Sequence, residues 1–385
     1  MRFFMKTVLF DLYEAQPACG AKFHGGGEYI KMVFSHLVKY YSHLCKVVVY
    51  FDKDKFLDDW ILKSIKEYNI VVEYIKQRED IKPLFEKHKV DVFYSGLPYH
   101  YSENLFPKSV RKIGTIHGLR EIEMPVDKYT HVYFEGLASI KQRIKFLLKN
   151  KISQREITRF YEGFKYLDDV VCVSNHTAFA LKNFYPNYNG NVRVLYTPSK
   201  YTEMEEQCQS PNYGKYILLI SCDRWLKNSY RTLCAIDNLF MKGFLAGYKV
   251  VVVGGIPKKI KNRLSCLDRV IVLNYVDTPV LELLYRECDF FVYPSLNEGF
   301  GMPPLEAMKY GKTCVVSAVC SLPEVCGDAV YYCNPYDVCE IQNRLLIASE
   351  QKIELERINN HMRQIEEKQL SDLDLLCRLI WGDKK

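Results

Sequence analysis

Hydrophobic and polar positions along this chain alternate between two regimes. Short apolar, β-branched runs stand at "TVLFDL" (7–12), "KVVVYF" (46–51), "IVVEYI" (70–75), "VDVFYSG" (90–96), "RKIGTIHG" (111–118), "DVVCVS" (169–174) and "VRVLY" (192–196). A second series follows at "YILLIS" (216–221), "KVVVVG" (249–254), "RVIVLN" (269–274), "FFVYPS" (290–295) and "TCVVS" (313–317). Longer stretches of helical spacing separate the runs, which predicts parallel sheets with crossover helices. The runs are apolar nearly throughout, so helices should cover both faces and each half should be doubly wound. Between the halves "TPSKYTEMEEQCQSPNYGK" (197–215) is polar, proline-bearing and without periodicity, as an interdomain connection should be. The predicted domains are therefore 1–200 and 201–360, followed by a helix over 361–385. That last helix carries Leu370, Leu373, Leu376, Leu379 and Ile380 on one face, which something must cover.

Composition agrees with two cores, since 385 residues of which 48% are hydrophobic exceed what one core usually holds. The opening "MRFFMKTVLFDLYEA" meets Asp11 and Glu14 too soon for a secretory leader and reads as a buried strand. No run of about eighteen apolar residues suggests a membrane span, so a soluble or peripheral protein is expected. Several of the fourteen cysteines, such as Cys172 and Cys314, sit in apolar runs, which points to reduced thiols in the cytoplasm. The series Cys314, Cys320, Cys326, Cys333, Cys339 lacks the paired spacing of a zinc site, and no metal is expected.

Charge changes the picture in one place. Lys141, Arg143, Lys145, Lys149, Lys151, Arg155 and Arg159 face the single acid Glu156, so almost all of the net charge of +7 lies there. Within "SIKQRIKFLLKNKISQREITRFYEGF" (139–164), Ile140, Ile144, Leu147, Leu148 and Ile152 recur at helical spacing. One reading is a core-facing stripe with a solvated back. The other is an amphipathic helix or helix pair attaching the protein to an anionic membrane surface at the inner leaflet.

The candidate chemistry lies in "SLNEGFGMPPLEAMKYGKT" (295–313), where Glu298 and Glu306 stand with seven residues between them. The strand ending at Ser295 puts the following turn at the carboxyl edge of the sheet, where ligands of open α/β sheets bind. Gly299 and Gly301 allow close backbone approach, and Pro303 and Pro304 are tolerated in a helix's first turn. Carboxylates flanking such a turn suit sugar hydroxyls around a phosphate, which describes a nucleotide sugar. The same spacing also permits a solvated helix with a capping glutamate beside a Gly-Pro loop.

"DFFVYPSLNEGFGMPPLEAMKYGKTCVVSAVCSLPEVCGDAVYYCNPYD" (289–337) closely resembles the donor-binding segment of retaining glycosyltransferases of family 4, with its Glu-x7-Glu element. "YILLISCDRWLKN" (216–228), "VVVVGG" (250–255) and "NYVDTPVLELLYRECD" (274–289) are similar to further elements of that family in order, and "HGGGEYI" (24–30), "TIHG" (115–118) and "VVCVSNHTAFAL" (170–181) resemble its first half. The resemblance implies a GT-B fold, with two Rossmann-like domains facing across a cleft and the C-terminal helix crossing back to the first. The first domain would bind the acceptor and the second the nucleotide sugar. Glu306 would hold the ribose, Glu298 a hydroxyl of the transferred sugar, and the N–H groups of Phe300, Gly301 and Met302 the sugar or phosphate. Lys227 matches the pyrophosphate lysine, while Arg224 stands about two residues off the usual arginine spacing. His117 would line the site near the transferred sugar, Gly25, Gly26 and Gly27 would approach the phosphates, and backbone near Tyr275 and Val276 would meet the base. The implied reaction moves a hexose from a GDP- or UDP-sugar to a glycan or lipid-linked hydroxyl with retention, in surface polysaccharide or glycolipid synthesis. Neither metal nor cofactor is called for, and no nucleic acid.

Competing readings are an inactive donor-binding partner subunit, an epimerase or phosphorylase of the same architecture, and a metal-dependent GT-A transferase using the Asp-x-Asp of "FDKD" (51–54). A further Asp-x-Asp, "DLD" (372–374), reads as a solvated helix face.

Overall fold

The computed structural model describes residues 5–17, 23–199 and 212–382, so the predicted boundary near residue 200 lies outside the described residues. The chain forms two compact units. The first comprises Met1–Leu119, Arg155–Thr202 and Glu366–Lys385, and the second Arg120–Gln154 and Glu203–Ile365.

In the first unit β1 (Lys6–Asp11), β2 (Cys45–Phe51), β3 (Val71–Tyr74), β4 (Val92–Ser95), β5 (Arg111–Ile116), β6 (Asp169–Cys172) and β7 (Asn191–Val194) form one sheet in the order β3-β2-β1-β4-β5-β6-β7. All pairings are parallel. The central strands β4 and β6 are buried throughout, as their apolar runs require. Edge strand β7 instead alternates exposed and half-buried residues, because only one of its faces is covered.

The second unit holds β8 (Tyr216–Leu219), β9 (Lys249–Val253), β10 (Val270–Leu273), β11 (Phe290–Tyr293), β12 (Cys314–Ser317) and β13 (Tyr331–Cys333), ordered β10-β9-β8-β11-β12-β13 and again parallel. Its core joins Val250, Val252, Phe290 and Val292 to Ile236 and Leu239 of the helix Ser229–Met241. Fully burying each such side chain contributes about 1.5–3 kcal/mol. The three-residue strand β13 was not among the predicted ones.

Both sheets are open and doubly wound, and in each the chain order reverses at one place. Those reversals, between β1 and β4 and between β8 and β11, mark the carboxyl-edge crevices where ligands of such sheets bind.

Residues Arg120–Gln154, expected in the first domain, cluster with the second unit. The cause is a buried two-pronged ion pair, in which both Arg231 terminal nitrogens donate to Asp127 at 2.9 Å. Val132 adds to the apolar core there, and the Tyr133 hydroxyl accepts from the Tyr230 backbone N–H at 2.8 Å.

The helix Leu355–Trp381 supplies Leu373, Leu376, Leu379 and Ile380 as buried residues, and from Glu366 onward it belongs to the first unit. Leu370 is exposed and not part of that face; Gln369 is buried and donates to the Thr197 carbonyl at 2.7 Å. The "DLD" pair is no solvated face either. Asp372 is buried and accepts from the Tyr196 backbone N–H at 2.8 Å, and Asp374 accepts from the Tyr41 hydroxyl.

The basic segment forms two helices, Gly136–Leu147 and Lys149–Glu162. Its apolar stripe does not enter the core: Ile140, Ile144, Leu147 and Leu148 are exposed. Among the described residues no helix is long and apolar enough to cross a membrane.

Candidate functional site

The β8–β11 reversal brings together groups 71 residues apart in sequence. After β8 the chain turns through a 3-10 turn, Trp225–Lys227, and Asn228 adopts a left-handed conformation (φ 58°) to start the helix Ser229–Met241. After β11 it passes Ser295 to Glu298. The Lys227 ammonium lies 2.5 Å from Glu298 Oε1, donates also to the Tyr293 hydroxyl, and sits 4.7 Å from the centre of the Tyr293 ring. Glu298 Oε1 accepts in addition from Tyr293 Oη at 2.7 Å and Ser295 Oγ at 2.6 Å.

Burial raises the Glu298 carboxyl, but the Lys227 charge and the hydrogen bonds from Lys227, Ser295 and Tyr293 outweigh it and hold the group below the ordinary glutamate range. Burial pulls the Lys227 ammonium down, Glu298 opposes this, and the nearby Arg224 and Arg120 add to the lowering. The result is an anion and a cation held as one unit, with further positive charge beside them.

The turn that follows is tightly specified. Gly301 has φ 105°, where a side chain is strained, and a Cβ there would stand 2.5 Å from Leu322. Ser321 Oγ donates to the carbonyls of Glu298 and Phe300 at 3.0 and 2.8 Å, which fixes the direction of the intervening peptide groups. Phe300 is buried, and Met302 opens the helix Met302–Met308. This helix is only seven residues long. Glu306 lies in that helix, and its Oε2 accepts from the buried Tyr285 hydroxyl at 3.1 Å. Each glutamate of the pair is thus steered by a buried tyrosine.

Arg224 is exposed and forms no ion pair among the described residues. With Arg120, Tyr133, Phe134 and Trp225 it lines a cavity of about 450 Å³. Tyr275 and Val276 follow β10, two strands from β8, so the sheet order does not bring them to the Lys227–Glu298 pair.

In the first unit Gly25, Gly26 and Gly27 form the first turn of the helix Gly25–Tyr41 rather than a loop ahead of it. His24 caps that helix, its Nδ1 accepting from Gly27 N–H at 3.0 Å and its Nε2 donating to the Gln16 carbonyl at 3.2 Å. A Cβ on Gly26 would meet Leu97, and one on Gly27 the Ala15 carbonyl, so both are needed for packing; Gly25 faces open space. His117 Nε2 donates to the Gly96 carbonyl at 2.9 Å, which leaves the lone pair on Nδ1. Burial pulls its pKa down to about 4 against that hydrogen bond, and His24 adds to the lowering, so the ring is neutral at pH 7.

Sequence reasoning did not single out the residues beneath this edge. Asp11, at the end of β1, is fully buried and accepts from Ser95 Oγ at 2.6 Å and Tyr101 Oη at 2.9 Å. Burial, then the charge of Glu14, pushes its pKa up to about 7. Glu14 is held below the ordinary range against burial by His100 at 2.7 Å and Arg78 at 2.5 Å. The Asp-x-Asp of residues 52–54 is bridged by Lys76, which reaches Asp52 at 2.8 Å and also Asp54, so a lysine occupies the position a GT-A metal would need.

Residues 202–365 match the family described as Glycosyl transferases group 1. Serotype-specific mannosyltransferase WbdA of Escherichia coli is 46% identical over 77 residues, covering 20% of this chain and 9% of that protein. The match therefore spans about a tenth of that relative. O-antigen chain mannosyltransferase RfbU of Salmonella typhimurium is 24% identical over 254 residues, 64% of each chain. Among solved structures, sucrose-phosphate synthase from Thermosynechococcus elongatus aligns with TM-score 0.68 over 97% of this chain and 98% of its own, at 13% identity. The fold is that of GT-B glycosyltransferases.

Proposed function

We propose that this chain transfers a hexose from a nucleoside-diphosphate sugar to a hydroxyl of a glycan or lipid-linked glycan, with retention at the anomeric carbon. The observation that carries the reading is the Lys227–Glu298 unit at the β8–β11 reversal, with Arg224 and Arg120 beside it. As the glycosidic bond breaks, charge develops on the leaving diphosphate, and a preorganised ammonium in a buried setting stabilises that charge without metal. Glu298 takes a sugar hydroxyl, Glu306 the ribose hydroxyls, and the N–H groups of Phe300, Gly301 and Met302 the sugar or phosphate. A leaving-group oxygen removes the acceptor proton on the same face. His117, neutral at pH 7 with Nδ1 accepting, is assigned to the transferred sugar, and Gly25 is the glycine of its turn with room for phosphate. The base is assigned to backbone near Tyr275 and Val276.

The names of the two relatives favour mannose and a surface polysaccharide acceptor. Free thiols at buried Cys45, Cys172, Cys222 and Cys314 support a cytoplasmic setting. Thermal-shift and turnover measurements with UDP-, GDP- and ADP-sugars test the donor, and NMR of the product's anomeric proton tests retention. Turnover that persists in EDTA agrees with metal independence. Stabilisation by a nucleotide sugar without turnover on any glycan would support a donor-binding subunit, and release of an isomerised donor an epimerase.

A further inference from the structure

The helix Gly136–Leu147 is oriented opposite to what its amphipathicity would give in a water-soluble core. Its buried residue is Ser139, whose hydroxyl donates to the His131 carbonyl at 2.8 Å and accepts from Lys259 Nζ at 2.7 Å. Its apolar residues point outward: Leu137 is 84% exposed, Ile140 55%, Ile144 51% and Leu147 81%, and Leu148 beyond its end is exposed too. The spacing i, i+3, i+7, i+10 and i+11 places all five on one face. Lys141 and Lys145 border that stripe on one side and Arg143 on the other, with Lys149 and Lys151 just beyond the helix. Among the described residues none of these five cations has a carboxylate partner.

We propose that this face docks the protein on an anionic lipid surface, the leucines and isoleucines entering the headgroup boundary while the lysines and arginine meet lipid phosphates. Charge complementarity selects this occupant. A second copy of the chain would bring like-charged borders together around the stripe, whereas an anionic bilayer offers an apolar interior beneath a negative surface. The polar anchoring through Ser139 keeps the helix in place without using its apolar side. This inference does not rest on the donor-site reading.

The test is co-sedimentation of the full chain with vesicles of phosphatidylglycerol and phosphatidylcholine, and of phosphatidylcholine alone, at low and high salt. Binding should require the anionic lipid and decline with salt. Replacing Lys141, Arg143 and Lys145 by glutamine should lower the partition coefficient on the order of 100-fold, since each basic residue near the surface counts for about 1 kcal/mol. Leu137→Ser with Leu147→Ser should also reduce binding, with melting temperature and nucleotide-induced shift unchanged because both side chains are exposed. Hydrogen exchange of the unaltered chain supplies a readout without any variant: anionic vesicles should slow exchange over residues 136–151. The proposal fails if the protein ignores anionic vesicles at low salt or if protection falls elsewhere. It fails equally if the serine variants convert a dimer to a monomer in sedimentation velocity, which would make the stripe a self-association face.

Discussion

Replacing Glu298 by glutamine asks whether Lys227 and Glu298 behave as one unit. The change keeps volume and an acceptor for Ser295 and Tyr293, at 2.6 and 2.7 Å, but removes the counter-charge of an ammonium only 11% exposed. Two hydroxyl hydrogen bonds drop from the charged to the neutral class, about 1 kcal/mol each. Removing one member of a buried ion pair costs about 3–5 kcal/mol, because the other charge stays behind. The Tyr293 ring beneath the ammonium offsets part of this, by about 0.5–2 kcal/mol. A net loss of about 3–6.5 kcal/mol follows, or roughly 6–26 °C in melting temperature for a domain of about 150–250 residues. A nucleoside diphosphate should then stabilise the variant more than the wild type, since its phosphates meet an ammonium no longer shared with a carboxylate. Turnover should fall nonetheless, because the sugar hydroxyl loses its acceptor. Melts with and without GDP and UDP, paired with kcat and KM, decide the matter. A variant melting within about 1 °C of wild type, or gaining no more from nucleotide than wild type does, would refute the coupling.

Other expectations are more local. Glu306→Ala should weaken nucleotide binding by about 1.5–3 kcal/mol with kcat nearly unchanged, and Tyr285→Phe, which keeps the carboxylate but removes its 3.1 Å donor, should weaken it less; titration calorimetry separates the two. Asp11 has its pKa raised from 3.8 to about 7, so the folded chain keeps a proton that the unfolded chain releases. Its contribution to stability is therefore full below about pH 4 and lost as pH rises towards 7, and Asp11→Asn should gain on wild type over that interval by up to about 1.4 kcal/mol per pH unit. Chemical denaturation at pH 5 and pH 8 checks the sign, and a variant with no relative gain at pH 8 contradicts it. A chain ending at Asn360 loses buried Leu373, Leu376, Leu379 and Ile380, at about 1.5–3 kcal/mol each, which approaches the whole stability of a typical domain. Its first unit should be open to protease, and an undiminished melt would show that the helix end is dispensable.

Strands were legible wherever covering helices demanded an apolar run on both faces, as in "KVVVVG" and "FFVYPS". Strand β13 escaped because three residues, Tyr331–Cys333, carry too little pattern to be told from a loop. The placement of Arg120–Gln154 escaped for a different reason. It depends on an ion pair between Asp127 and Arg231, 104 residues apart, and no local periodicity encodes such a partner. The exposed stripe of the helix Gly136–Leu147 shows the limit of periodicity itself, which establishes that a helix is two-faced without saying which face turns inward.

The candidate site divides along the same line. Glu298, Glu306 and Lys227 each stand in a recognisable local context, but their joint electrostatics depends on β11 lying beside β8, which the order of strands along the chain does not state. One signal was available. Tyr293 and Ser295 are two residues apart at the end of a strand, so their side chains share a face, and a carboxylate three residues on can receive both hydroxyls. That pattern alone marks Glu298 as a carboxylate held by hydroxyls, with or without a lysine near it. A substitution at Lys227 leaves Glu298 with two hydroxyl donors, whereas a substitution at Glu298 leaves Lys227 with a hydroxyl and a ring. The cation is the member more dependent on its partner, so only a double-mutant cycle, not either single change, can separate diphosphate stabilisation from sugar recognition.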